Sequence, residues 1–209
     1  MMRMITLYHY PQSRSLRVLW LLEELALPYQ LEVLALGPTG LQSERYRQIH
    51  PLGRVPALRD GDVLMHESGA ILEYLLERYG DGRLAPAPDS PERATFLQWF
   101  HYAEATALPP LSDLAQHSVL KPEAERIAAL VPDAIARARA SMAVVEGALA
   151  GRHYLCGREF TAADIMMGYT VQLAKWFHVI GEESPNQQAY LARLNARPAM
   201  QKALAPANR

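Results

Sequence analysis

The chain has 209 residues, half of them hydrophobic and 21% charged, with 21 basic residues against 22 acidic ones. This length suits one large domain or two small ones, and the composition excludes a disordered chain. A formal net charge of −1 and the lack of a basic stripe leave nothing to drive nucleic-acid binding. The single cysteine, Cys156, excludes an internal disulfide and a Cys-x-x-Cys redox pair, and fits a reducing cytosol. No run reaches the roughly 18 apolar residues of a membrane-spanning helix. The opening run Met1 to Tyr8 turns polar too soon for a signal peptide.

In chain order, Ile5, Leu7 and Tyr8 begin a short strand that Pro11 to Ser15 breaks. Leu16, Leu19, Trp20, Leu22 and Leu25 then repeat at helical spacing, ahead of Pro28. Tyr29, Leu31 and Val33 alternate with polar residues, a strand period, so that β-α-β implies a right-handed crossover and a parallel pair. After the Gly37 to Gly40 loop, Leu41 to Ile49 reads as a short polar helix. Val55 to Arg59 and Val63 to Met65 flank Asp60-Gly61, a hairpin signal. A helix carrying Ile71, Leu72, Leu75, Leu76 and Tyr79 follows, with Gly80 as its stop. Residues 81–90 read as a linker between a domain at 1–80 and an all-helical one at 91–209. Helices are expected near 91–118, 123–150, 161–180 and 185–196, with a short one after Pro198. Pro109-Pro110 is expected to kink or interrupt the first.

Four places carry candidate chemistry. Pro56 removes a ladder donor from an apparent strand, so on the Val55-Pro56 dipeptide alone a strand starting after an ordinary trans proline is the expected form. A cis bond at an edge is the alternative, and it would offer the Val55 backbone to a peptide ligand. Ser68, at the start of a helix, can cap it; with Glu67 alongside it also fits an α-amino-acid head group, the carboxylate on the helix N-terminus and the ammonium on Glu67. Ser13 and Ser15 precede or open the first helix, as caps or as hydroxyl donors to an anion, with Tyr8 and Tyr10 nearby. Thr161 to Asp164 has capping-box spacing, stapled by Phe160 and Ile165, a folding element worth about 1 kcal/mol or more at its cap. His9, His50, His66, His101, His117, His153 and His178 are scattered without metal-ligand spacing, so no metal is expected.

Order and spacing join these signals. Ser13 to Glu24 looks like the first helix of bacterial and fungal glutathione transferases. His50-Pro51-Leu52-Gly53-Arg54-Val55-Pro56-Ala57-Leu58 resembles their asparagine-proline, glycine-lysine-valine-proline segment, and Glu67-Ser68-Gly69-Ala70-Ile71 their glutamate-serine signature. Phe160 to Ile165 resembles their helical-domain capping motif, so the resemblance spans essentially the whole chain. It implies a thioredoxin-like α/β domain followed by an all-α helical bundle, as a cytoplasmic homodimer serving detoxification.

By residue, the resemblance implies a cis peptide bond before Pro56, Val55 pairing with the cysteinyl part of glutathione, and Glu67 and Ser68 holding the γ-glutamyl ammonium and carboxylate. Arg54, with His50 a weaker candidate, falls near the glycyl carboxylate. For the hydroxyl that activates the thiol the order is Ser13, then Ser15, then Tyr8. Reduced glutathione is the expected cosubstrate, with no bound cofactor. A small hydrophobic electrophile is expected between the domains, against Tyr102, Glu104 and Trp176. Alternatives on the same fold are a glutathione-dependent peroxidase, isomerase or dehalogenase, and a non-catalytic binding protein.

Overall fold

Strands of four or five residues and short helices alternate through the first eighty residues because the apolar period switches from two to 3.6 and back. In the computed structural model, which describes residues 4–205, this gives β1 (Ile5–His9), α1 (Ser15–Glu24), β2 (Tyr29–Val33), α2 (Glu44–Arg47), β3 (Ala57–Asp60), β4 (Val63–His66) and α3 (Ser68–Tyr79). Met1 to Arg3 of the opening run lie outside the described residues, as does the end of the helical stretch beyond Ala205. The four strands form one mixed sheet in the order β2-β1-β3-β4. β1 runs parallel to β2, with Leu7 opposite Leu31, and antiparallel to β3, with Leu7 opposite Leu58. Asp60 pairs with Val63, so the hairpin loop is Gly61-Asp62, and Gly61 supplies the positive φ of 60° that a two-residue turn requires.

α1 packs on β1, on α3 and on a C-terminal helix, α9 (Pro198–Ala203). Val18, Leu19, Trp20, Leu21 and Leu22 on α1, and Ile71, Leu72 and Leu75 on α3, are wholly buried with Leu7 and Leu58 of the sheet. Arg197 clamps the start of α9 to α1 through two hydrogen bonds to Glu24, at 2.6 and 2.8 Å, and Glu24 also accepts the Trp20 indole N–H at 2.9 Å. Residues 4–84 and 195–205 therefore pack as one unit, and Ala85–Leu194 as a second.

The second unit is helical: α4 (Arg93–Tyr102), α5 (Leu108–Ala115), α6 (Val131–Leu149), α7 (Ala162–Trp176) and α8 (Pro185–Asn195). The interruption expected at Pro109-Pro110 takes the form of a π-helical turn over Ala103–Ala107. Two consecutive prolines withdraw two donors from the helical ladder, and a wider turn accommodates the carbonyls they leave. The helix expected over 123–150 starts only at Val131, after two short 3-10 turns. Residues 122–130 are almost all exposed, so a helix there would have no apolar face to bury. α7 ends at Trp176 rather than near 180, because His178 adopts φ 55° and the Val179 N–H reaches back to the Ala174 carbonyl at 2.9 Å.

Gly80 also works differently from the left-handed stop expected of it. Its φ is −71°, and Asp81 takes the left-handed conformation instead. What Gly80 avoids is a Cβ that would lie 2.4 Å from the Leu76 carbonyl oxygen.

Asp164 anchors the helical unit. It is fully buried and accepts hydrogen bonds from the N–H groups of Leu155 (3.0 Å) and Thr161 (2.8 Å) and from the hydroxyls of Thr161 (3.1 Å) and Tyr190 (3.0 Å). Burial pushes its carboxyl group up, and these donors pull against that. Glu146 of α6 similarly caps α8, accepting the N–H groups of Asn186 and Gln187, both at 2.9 Å.

Candidate functional site

A cleft on the first unit is lined by Arg14, His50, Leu52, Arg54, Val55, Pro56, Glu67 and Ser68. All six residues expected to bind the tripeptide thus meet there, although they come from three separate segments. The Val55–Pro56 peptide bond is cis, which overturns the trans form expected from the dipeptide alone and agrees with the family resemblance. β3 starts just past it at Ala57, so the proline costs the ladder no donor. The turn before it needs Gly53, whose φ is 58° and where a Cβ would sit 2.3 Å from the Leu41 carbonyl oxygen. Tyr46 of α2 fixes the same segment by donating its hydroxyl to the Arg54 carbonyl at 2.7 Å, leaving the Arg54 side chain exposed.

Glu67 has φ 75° and ψ 111°, a conformation costing a non-glycine residue about 1–3 kcal/mol. The strained residue directly precedes Ser68, the first residue of α3, so the distortion brings an exposed carboxylate to the positive end of a helix. Ser68 is 4% exposed, and its Oγ accepts a 3.1 Å hydrogen bond from the guanidinium of Arg17, which is wholly buried. With one lone pair so engaged, the Ser68 hydroxyl hydrogen remains for a ligand.

Sequence reasoning gave neither Arg14 nor Arg17 a role. The signal for Arg17 was a lone cation between Leu16 and Val18-Leu19-Trp20, in a stretch where every neighbour is buried.

His50 is 5% exposed, its ring centroid lies 4.7 Å from that of exposed His66, and its Nδ1 accepts the Leu52 N–H at 3.3 Å. Burial, then the neighbouring His66, push the His50 pKa below 6.5; Glu67 opposes this and Arg54 adds to it. A base whose folded pKa lies below its unfolded one takes up a proton on unfolding. The stability it confers is complete above pH 6.5 and declines as pH falls from there toward the folded pKa. Urea midpoints should therefore fall between neutral and mildly acid pH, and less so in His50→Asn, which keeps an acceptor for Leu52. An unchanged slope in that variant rules His50 out as the source.

The candidate hydroxyls differ in their surroundings. Ser13 is half-buried and Ser15 wholly buried, and their oxygens lie 2.6 Å apart. Ser13 Oγ also accepts the Ser15 N–H at 3.3 Å and donates to the Tyr10 carbonyl at 2.7 Å, while the cap position of α1 is Arg14, with no side-chain capping bond. Tyr8 instead lies with its ring 5.7 Å from that of Tyr46, in an apolar cluster with Ala57, Leu41, Ile49 and Val55.

In the helical unit, Tyr102 is half-buried and donates to the Ser141 carbonyl at 3.2 Å, and Glu104 sits in the π turn. Trp176, at the end of α7, is 58% exposed and meets Phe177 edge-on at 4.6 Å. Among the described residues no three His, Cys, Asp or Glu side chains gather to hold a metal, and no helix is long and apolar enough to cross a membrane.

A mixed four-stranded sheet with a cis-proline ahead of β3 and a ligand cleft beside it is a thioredoxin-like fold, here followed by a helical unit. Residues 7–86 match the glutathione S-transferase N-terminal domain and residues 125–197 the glutathione S-transferase C-terminal domain. The chain is 31% identical to glutathione S-transferase 3 of Schizosaccharomyces pombe, over 94% of this chain and 85% of that one. It is 32% identical to glutathione S-transferase GstB of Escherichia coli K12, over 95% and 97%. The theta class glutathione S-transferase of Xanthomonas axonopodis pv. citri, solved with glutathione bound, superposes with a TM-score of 0.81 at 32% identity over all of both chains. The chain belongs to the glutathione S-transferase family.

Proposed function

We propose that the protein is a glutathione S-transferase that binds reduced glutathione in the Arg14–Ser68 cleft and presents its thiolate to a small hydrophobic electrophile. The observation that carries this is the pairing of Ser68 with Glu67 at the start of α3, opposite the cis Val55–Pro56 bond and two arginines. Glutathione has two carboxylates and one ammonium group, and the cleft offers a complement to each. The γ-glutamyl carboxylate takes the Ser68 hydroxyl and the α3 N-terminus, and its ammonium takes Glu67. The glycyl carboxylate meets Arg54, with His50 and Arg14 beside it. The cysteinyl backbone pairs with Val55 as an added strand. The thiol then lies toward the N-terminus of α1, where Ser13 donates to it. A free thiol has a pKa of about 8.5, and lowering it by about two units makes the thiolate the main form at neutral pH.

The thiolate carries out the nucleophilic attack, so no metal or bound organic cofactor is required. For the electrophile we propose contacts with Tyr102, Glu104 and Trp176; the exposed indole of Trp176 offers a large apolar face. We further propose a cytoplasmic homodimer acting in detoxification, and a single sedimenting species of monomer mass would exclude the dimer.

The deciding experiment is calorimetric titration with reduced glutathione of the wild type and of Ser68→Ala. Saturable binding, weakened about tenfold or more in the variant, is expected for loss of a hydrogen bond to a charged group. Equal affinities reject the head-group assignment, and no binding to the wild type rejects the site. Turnover with alkyl and aryl halides against turnover with peroxides then separates the transferase from a peroxidase.

A further inference from the structure

His9 ends β1 and is 1% exposed, and no step described so far uses it. Its Nδ1 lies 2.8 Å from Ser15 Oγ, Ser15 Oγ lies 2.6 Å from Ser13 Oγ, and Ser13 Oγ lies 2.7 Å from the Tyr10 carbonyl oxygen. Each of these three contacts needs one hydrogen, because two oxygens, or an oxygen and a nitrogen, at such distances repel without one. The two serines supply only two. If His9 Nδ1 were an acceptor, one contact would be left without a hydrogen. These three, the shortest, are satisfied when His9 carries its proton on Nδ1; the fourth and longest contact, Ser15 Oγ to the Tyr10 carbonyl oxygen at 3.2 Å, is the one left without a hydrogen. His9 then donates to Ser15, Ser15 to Ser13, and Ser13 to the Tyr10 carbonyl. The Tyr10 N–H, 3.2 Å from Ser15 Oγ, is a second donor to the same oxygen and fits this direction.

We propose that His9 and Ser15 form a directional hydrogen-bond chain that polarises the Ser13 hydroxyl toward the sulfur of bound glutathione, which makes His9 a positioning residue of the reaction. The proposal rests on the glutathione site described above. In a chain of this kind each oxygen accepts a hydrogen while giving one, and each bond strengthens the next. On binding, Ser13 gives its hydrogen to the arriving thiolate, and its Oγ draws back from the Tyr10 carbonyl oxygen as that hydrogen leaves the contact. No proton crosses the chain: the thiol proton leaves to water, and His9 stays neutral. Ser13 and Ser15, rivals for one role from sequence alone, become the outer and inner members of one device.

The test measures the ultraviolet absorbance of bound thiolate against pH, with the affinity for S-methylglutathione as control, since that ligand occupies the cleft but has no thiol to ionise. His9→Phe and Ser15→Ala should lower the thiolate fraction at mildly acid pH by roughly fivefold, the effect of one neutral hydrogen bond, with S-methylglutathione binding unchanged. His9→Asn, whose amide can donate near the Nδ1 position, should restore much of it. Ser15→Ala carries the test should His9→Phe fail to fold. An unchanged thiolate fraction in Ser15→Ala overturns the chain, as does a fall that S-methylglutathione affinity follows. A wild type that does not bind S-methylglutathione overturns the site itself, and the chain with it.

Discussion

Replacing Asp164 with alanine should lower the stability of the helical unit by at least about 3 kcal/mol. The carboxylate is wholly buried and receives two backbone N–H groups and two hydroxyls, joining the segment 155–161 to α7 and α8 at one point. Alanine leaves the Leu155 and Thr161 N–H groups without an acceptor and leaves the fully buried Tyr190 hydroxyl only the backbone carbonyl of residue 164, at a long 3.4 Å, and each orphaned group costs about 1–3 kcal/mol. Asparagine keeps one acceptor oxygen and turns a donor toward the others, so Asp164→Asn should fall between alanine and the wild type. Urea unfolding followed by circular dichroism measures both. A loss under about 1 kcal/mol in Asp164→Ala would mean that water replaces the carboxylate, and that Asp164 is not the anchor its hydrogen bonds suggest.

Thr161 and Asp164 were legible as a helix start because a capping box is a local code: both partners lie within one turn. The same holds for the strands, whereas at the start of α3 Ser68 is the first helical residue rather than the cap, and the cap position falls on Glu67 without a side-chain capping bond. The full work of Asp164 was not legible, since Tyr190 lies 26 positions away and only the tertiary fold brings it back. Helix ends without glycine escaped for a related reason. Ala26 and His178 hold positive φ values of 53° and 55°, stabilised by backbone hydrogen bonds to the preceding turn rather than by residue type. Most of the residues that line the cleft are legible by resemblance, one by one, and their supports are not. Arg17 reaches Ser68 across 51 positions, and the tautomer of His9 follows only from oxygens whose separations must be known. The cis form of the Val55–Pro56 bond shows the limit of local reasoning most directly, because the dipeptide alone favours trans and the surrounding fold decides otherwise.

Ser13→Ala should reduce turnover with glutathione and an electrophile by about 100-fold, the usual loss when a preorganised donor to developing or stored negative charge is removed. The affinity for S-methylglutathione should stay within about twofold, because in the proposed site the cleft residues hold the rest of the tripeptide and Ser13 is assigned the sulfur alone. Ser15→Ala should lose less, as Ser15 is wholly buried and reaches the sulfur only through Ser13. Tyr8→Phe should change little: the Tyr8 ring is 6% exposed and packs against Tyr46 and Ala57. This order places the activating group where the α1 N-terminus also favours an anion, so hydroxyl and helix act on the same atom. A larger loss in Tyr8→Phe than in Ser13→Ala would reverse it. The thiolate would then be held from the end of β1, and the serines would be left with tying that strand to α1.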